Sequence, residues 1–241
     1  MEIFRKMSFA DSTGDAIPFY HEGKYHIFSL TSPPGTTVYP ERLRTTWSHS
    51  ISDDLVHWQE LPTALYPGEG DEPDASGVWT GSVIYGEGQY HAFYTGYCLT
   101  AEFQQTICHA TSEDGITWTK DIANPVITPM TELYEKLDWR DPYVFYNEED
   151  ENYWILISAR RLDMPVTRRG CIVLYRSKNL KDWTYYGPIY SPGHTNCPEC
   201  PEMYKMGGHW YLSYSRFSEF VNTIYRVSES PFGPWRKPKK E

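Results

Sequence analysis

Apolar residues along this chain fall in short runs and not at helical spacing. The runs are rich in Tyr, Trp, Phe, Ile and Val and are bounded by Gly, Pro, Asn and Asp, a pattern that predicts strands joined by tight turns. No stretch sustains a 3.6-residue period. The runs also repeat. A phrase that opens on Ser, passes through acidic or amide residues and closes on Trp occurs four times: Ser52 to Trp58, Ser112 to Trp118, Ser177 to Trp183 and Ser228 to Trp235. The tryptophans are 60, 65 and 52 residues apart. Upstream of each lies an aromatic-rich strand just after a turn, at Gly23 to Phe28, Gly88 to Phe93, Glu151 to Leu156 and Gly208 to Leu212. A third strand begins near Trp47, Ile107, Ile172 and Ile224, and a fourth follows each Trp. Four strands per repeat at this period match a β-propeller blade, a unit that cannot bury both faces alone and must stack on its neighbours. The prediction is all-β, one β-propeller domain over residues 1–241 with four blade repeats, at about 12–66, 79–128, 139–190 and 197–238. The four tryptophans of the repeated phrase read as blade-packing core.

The repeat also places carboxylates. The first strand of each repeat ends in an aromatic before its turn: Tyr20, Tyr85, Tyr146 and Tyr204. Five residues back from these stand Asp15, Thr80, Asp141 and Glu199. First strands line the central channel of a propeller, so equivalent positions are expected to converge on one axial pocket. Gathered carboxylates repel, a cost that proteins keep mainly where chemistry needs it. Each residue alone has a plainer reading. Asp141 could simply open a strand in Trp139-Arg140-Asp141-Pro142 and pair with Arg140. Glu199 lies in a loop between prolines, and Asp15 reads as a turn aspartate. The shared register is what favours chemistry over turns.

Composition narrows the class of substrate. Lys plus Arg number 22 against 32 for Asp plus Glu, a net charge of −10 that would repel a phosphate backbone, so no nucleic-acid partner is expected. The basic end, with Arg236, Lys237, Lys239 and Lys240, reads as a solubilising tail. No long uncharged apolar run is present, so no membrane span is expected. Aromatic residues reach 16%, with 20 Tyr and 9 Trp, and such planar faces stack on sugar rings. The five cysteines, Cys98, Cys108, Cys171, Cys197 and Cys200, are odd in number and scattered, which predicts a reducing compartment. Met1 to Lys6 is not followed by the apolar core of a secretory signal, and the expectation is cytoplasmic. Cys197-Pro198-Glu199-Cys200 lacks a second ligand pair and a helix start, so neither metal, redox centre nor cofactor is expected. His26, His49, His91 and His109 fall inside strand phrases and read as packed residues.

Three stretches carry a resemblance. Residues Trp47 to Ser82 look like the first-to-second blade passage of glycoside hydrolase family 32, the invertase and fructan-hydrolase family. Trp139-Arg140-Asp141-Pro142 resembles its Arg-Asp-Pro motif, and Glu199-Cys200-Pro201 its Glu-Cys motif. The resemblance implies a five-bladed propeller, of which a fifth blade and a C-terminal β-sandwich have no counterpart in this chain. It implies retaining cleavage of a non-reducing terminal furanosyl unit from an oligosaccharide or disaccharide. Asp15 would then be the nucleophile, Glu199 the general acid and then base, and Asp141 the stabiliser that holds ring hydroxyls. By their positions, Trp79 just before Thr80 and Trp139 two before Asp141 stand where a sugar ring could stack, and Ser82 and Arg140 where they could contact the substrate, with packing between blades the equal alternative for Trp79, Trp139 and Ser82. The family's Trp-Met-Asn-Asp-Pro-Asn-Gly type phrase is replaced by Gly14-Asp15-Ala16-Ile17-Pro18, which keeps only the acid. Spacing from Asp15 to Tyr25 is closer to the related family 43, so an inverting arabinofuranosidase or xylosidase stays open, as does a carbohydrate-binding relic without activity.

Overall fold

The computed structural model describes residues 13–36, 38 and 41–238. The segment Met1 to Lys6 and the lysines Lys239 and Lys240, both used above, lie outside them. Among the described residues, regular structure is β apart from two three-residue 3-10 turns, Glu41–Leu43 and Val166–Arg168. The strands pair antiparallel, each with the next in sequence, in four sheets. The first holds β1 (Thr13–His21), β2 (Lys24–Thr31), β3 (Thr46–Ser52) and β4 (Trp58–Leu65). The second holds β5 (Gly77–Gly86), β6 (Gln89–Tyr97), β7 (Gln105–Ser112) and β8 (Thr119–Lys120). The third holds β9 (Tyr134–Asn147), β10 (Asn152–Arg161), β11 (Gly170–Ser177) and β12 (Thr184–Tyr190). The fourth holds β13 (Glu199–Met206), β14 (His209–Ser215) and β15 (Thr223–Ser228). These are the four β-propeller blades that the repeats predict.

The blades group into two compact units, Met1–Val126 and Ile127–Glu241. Within the first, Phe28 and Trp47 of blade 1 pack with Val83, Ala92 and Tyr94 of blade 2. Within the second, Trp154, Leu156 and Leu174 of blade 3 pack with Met203, Leu212 and Tyr214 of blade 4. Phe, Val, Leu and Met side chains among these contribute about 1.5–3 kcal/mol each when fully buried. Two of the repeat tryptophans serve as expected: Trp118 meets Phe28 edge-on at 5.9 Å, and Trp235 packs on the second core. Trp58 is half-buried and instead ties its own turn, donating to the Leu55 carbonyl at 3.2 Å.

The repeated Ser phrase is a turn motif. Asp54, Asp114 and Asn179 each accept from the backbone N–H groups two and three residues on, at 2.7–3.1 Å. The leading Ser donates to Asp114 and Asn179 at 2.9 and 3.0 Å. Such Asx turns leave the next residue in the left-handed region, and Leu55, Gly115 and Leu180 have φ of 64°, 69° and 61°. Four hydrogen bonds to Asp114, chiefly from the backbone N–H groups of Thr117 and Ile116 and then from the Ser112 and Thr117 hydroxyls, outweigh its partial burial and hold its carboxyl down to about 2.

Blade 4 departs from the four-strand expectation. Its fourth strand is a single bridge between Val227 and Arg236. Pro231, Pro234 and Pro238 surround that bridge, and a residue without an N–H cannot extend a ladder. The other boundaries move by a few residues: β9 starts at Tyr134, ahead of the expected 139, and β5 at Gly77.

Histidine pairs are built into both blades of the first unit. His26 Nδ1 lies 3.0 Å from His49 Nε2, and His91 Nδ1 lies 2.9 Å from His109 Nε2. Burial and then the charge of His26 push His49 down to about 3; burial and then His21 lower His26 as well. A histidine kept neutral in the fold but free to protonate when unfolded draws stability out as pH falls below the unfolded value of 6.5. Urea unfolding is therefore expected to show a loss of a few kcal/mol between pH 7 and pH 4.5. His49→Gln is expected to flatten that slope, and an unchanged slope would refute the assignment. Separately, Asn179→Ala is expected to lower stability by about 1 kcal/mol, comparable to a lost cap, with Asn179→Asp retaining it.

Candidate active site

One irregularity recurs on the first strand of every sheet. On β1, Thr13 pairs with Thr31 and Ala16 with Ser29, so Gly14 and Asp15 together face Leu30 alone. On β5, Trp79 and Thr80 face only Thr95. On β9, Asp141 and Pro142 face only Ile157, and on β13, Cys200 and Pro201 face only Tyr214. Each is a two-for-one bulge, which breaks the ladder and re-aims side chains. The sequence accounts for the third and fourth, because proline sacrifices no ladder hydrogen bond at a bulge. The residue before each proline takes the left-handed conformation, Asp141 at φ 56° and Cys200 at φ 48°. Such backbone costs on the order of 1–3 kcal/mol per residue and collects at functional sites. Gly81 closes the second bulge; a Cβ there would collide with the Phe93 carbonyl.

The reference tyrosines align as expected, pairing Tyr20 with Tyr25, Tyr85 with Tyr90, Tyr146 with Tyr153 and Tyr204 with Tyr211. Five residues back from each leads to the bulge, but with a drift. Asp15 and Thr80 are the second bulge residues, Asp141 is the first, and Glu199 stands just before its bulge.

In the first unit, the Thr80 hydroxyl donates to Asp15 Oδ2. The Thr80 carbonyl accepts from Thr95 Oγ1 at 3.0 Å, so the threonine is fixed at both ends. Asp15 itself is exposed. Trp79 is half-buried and lies flat on Tyr97, ring centroids 4.1 Å apart at 19°. Ser82 is buried on β5, with 6% of its surface exposed.

In the second unit, Arg140 joins three carboxylates. Its Nη2 lies 2.7 Å from Glu199 Oε1, its Nη1 2.6 Å from Asp138 Oδ1, and its Nε 3.7 Å from Asp141 Oδ2. Asp141 Oδ2 also accepts from the Cys200 N–H at 3.0 Å, a bond that exists because the β13 bulge turns that N–H away from the ladder. Asp141 is 6% exposed, whereas the Glu199 side chain keeps 28%. Burial works against the Arg140 charge, but Cys197, Asp141 and Asp138 outweigh it and raise the guanidinium above its usual value. Cys197, wholly buried beside this charge, is a free thiol pushed well above its ordinary value by burial.

Trp139 does not offer a sugar platform. It has no exposed surface and packs 5.3 Å from Tyr134 and edge-on to Tyr175 at 6.3 Å. Residues of opposite parity on a strand face opposite ways, so the residue next to Arg140 points into the blade while Arg140 and Asp138 share the other face. Asp138 and its partner Arg160 were not singled out in the sequence. Their signal, an Asp two residues before an Arg, becomes meaningful only once the pairing with β10 is known.

The bulges, the Arg140-bridged carboxylates and the Thr80–Asp15 contact occupy the positions that the sequence motifs mark. The family model "Glycosyl hydrolases family 32 N-terminal domain" matches residues 15–231. The chain belongs to glycosyl hydrolase family 32. Similar proteins include a levanase of Bacillus subtilis (strain 168), 33% identical over 198 residues, covering 78% of this chain and 26% of the levanase. A raffinose invertase of Escherichia coli is 32% identical over 202 residues, covering 80% of this chain and 39% of the invertase. Among solved structures, exo-inulinase from Aspergillus awamori superposes with a TM-score of 0.74 at 26% identity, covering 95% of this chain and 50% of that one. The chain thus spans half or less of the length of these relatives.

Removing Arg140 would leave Asp138, Asp141 and Glu199 facing one another in a partly buried space. Arg140→Met is expected to cost about 3 kcal/mol at pH 7, since an uncompensated buried charge is expensive. The cost is expected to shrink at pH 4, where protonation relieves the repulsion. Urea melts at the two pH values test this, and a pH-independent cost would refute the electrostatic origin.

Proposed function

We propose that this protein hydrolyses a non-reducing terminal fructosyl unit of a disaccharide or oligosaccharide with retention at the anomeric carbon. The observation that carries the reading is the Arg140 bridge between Asp141 and Glu199, beside two proline-bearing bulges of a family 32 chain. The names of the relatives, levanase, raffinose invertase and exo-inulinase, point to fructosyl saccharides as substrate. The odd number and scattered spacing of the five cysteines support a cytoplasmic setting.

Glycosidic cleavage passes through an oxocarbenium-like state that needs a proton on the leaving oxygen and a carboxylate opposite. Asp15 is the nucleophile: its carboxylate bonds to the anomeric carbon as the glycosidic bond breaks, and the Thr80 hydroxyl holds the other lone pairs in place. Glu199 gives its proton to the departing oxygen, then takes one from the water that releases the fructosyl unit, which restores both carboxyls. Asp141, held by the Cys200 N–H and Arg140, accepts from ring hydroxyls and keeps negative charge near the developing cation. Trp79, stacked on Tyr97, and Arg140 contribute to holding the sugar.

Glu199→Gln is expected to lower kcat on sucrose, levan or inulin fragments by about 10²–10⁴-fold, the usual worth of a positioned acid and base. Proton NMR of the first-formed sugar is expected to show the retained anomer. An inverted product would assign Asp15 as a base for water. Saccharide binding in calorimetry without any turnover by the wild-type protein would replace the enzymatic reading with a binding one.

A further inference from the structure

The second unit contains a chain of alternating charge that begins at Glu199 and leaves the motif residues behind. Arg140 is followed by Asp138, whose second oxygen, Oδ2, lies 3.3 Å from Arg160 Nε. Arg160 in turn meets Glu135 Oε2 at 2.7 Å, and Glu135 Oε1 meets Arg169 Nη1 at 2.5 Å. Arg160 is 5% exposed and is also fixed to backbone, donating to the Asn196 carbonyl at 2.9 Å and the Val166 carbonyl at 3.0 Å. Its Nη1 bonds the Asn196 side chain too. Asp138 is therefore anchored from behind, and its free choice of rotamer is gone.

Three features separate this arrangement from ordinary stabilisation. Desolvating two arginines among several carboxylates is costly, and apolar residues of similar volume commonly stabilise as well or better. Arg140 spends one nitrogen on each of three carboxylates, so Asp138 is the anchor that sets the plane of the fork between Asp141 and Glu199. An undivided guanidinium 2.7 Å from Glu199 would favour its carboxylate form, the opposite of what a proton donor needs.

We propose that Asp138, held by Arg160, is a positioning residue for the hydrolysis: it fixes Arg140 between Asp141 and Glu199 and keeps the guanidinium shared among three carboxylates instead of committed to Glu199. The inference rests on the reading of Glu199 as the acid and base. Among the described residues, the charged and titratable groups against Arg140 include Asp138 and Asp141 on β9, Glu199 at the start of β13 and Cys197 just before it, with Arg160 on β10 behind Asp138.

The test assays full-chain wild type, Asp138→Asn, Arg160→Lys and Glu199→Gln on sucrose and on a levan oligosaccharide across pH. Asp138→Asn is expected to lose about tenfold or more in kcat with KM within about threefold, and to shift the basic limb of the kcat/KM profile to lower pH by about half a unit. Arg160→Lys, which keeps charge but loses the fork, is expected to move the limb the same way by less, and it serves if Asp138→Asn does not fold. An unmoved limb in the folded variants, or a kcat loss matched by the unfolded fraction, would overturn the positioning role while Glu199→Gln still supports the reaction. A folded wild type that turns over neither sugar would defeat the functional reading first, and this inference with it.

Discussion

A strand that must place two residues opposite one cannot keep its pleat, and the side chains at that point turn where a regular strand would not send them. The first strand of each of the four sheets meets this constraint at nearly the same distance from its terminal tyrosine. Asp15, Thr80 and Asp141 sit within a bulge and Glu199 at the edge of one. The Cys200 N–H reaches Asp141 for the same reason, since a backbone donor released from the ladder is available to a carboxylate on the neighbouring blade. The left-handed backbone at Asp141 and Cys200 is the energetic cost of this arrangement.

What the bulges bring together must then be made electrically tolerable. In the second unit, Asp141 and Glu199 share a single guanidinium, and that guanidinium is itself shared with Asp138. The result is a balance: Arg140 offsets the repulsion between carboxylates without belonging wholly to any one. In the first unit the device is neutral, a Thr80 hydroxyl against Asp15, with Thr95 behind it. The two treatments differ in kind: a hydroxyl orients the lone pairs of Asp15, whereas a shared guanidinium offsets charge at Asp141 and Glu199 without being committed to either.

Much of this is legible in the sequence. Repeating Ser phrases marked the outer turns because an Asx turn needs the same short polar residues each time, and Asp114 and Asn179 make the bonds that such residues are suited to make. Counting back from four tyrosines reached the bulges, since hairpin turns hold register over a few residues. The count then drifted at Asp141 and Glu199, because a bulge slides along its strand without altering the turn. Trp139 was misplaced by the same limit: next to a motif residue in sequence, it faces the other side of the strand and fills the blade. The fourth strand of the last blade shrank to one bridge under its prolines, which a repeat count does not weigh.

By itself the sequence determined the elements and their order: short strands, tight turns, four blades and the acids that the turns hold in register. Those properties are local, set by side-chain alternation, by turn chemistry and by where prolines remove a donor. Only the tertiary structure decided which charges meet. Arg140, Asp138 and Arg160 come from two strands and Glu199 from a third, and whether a guanidinium ends between three carboxylates or pairs with one depends on register across sheets and blades. No neighbouring residues in the chain encode that, since the energy of an ion pair depends on distance through space.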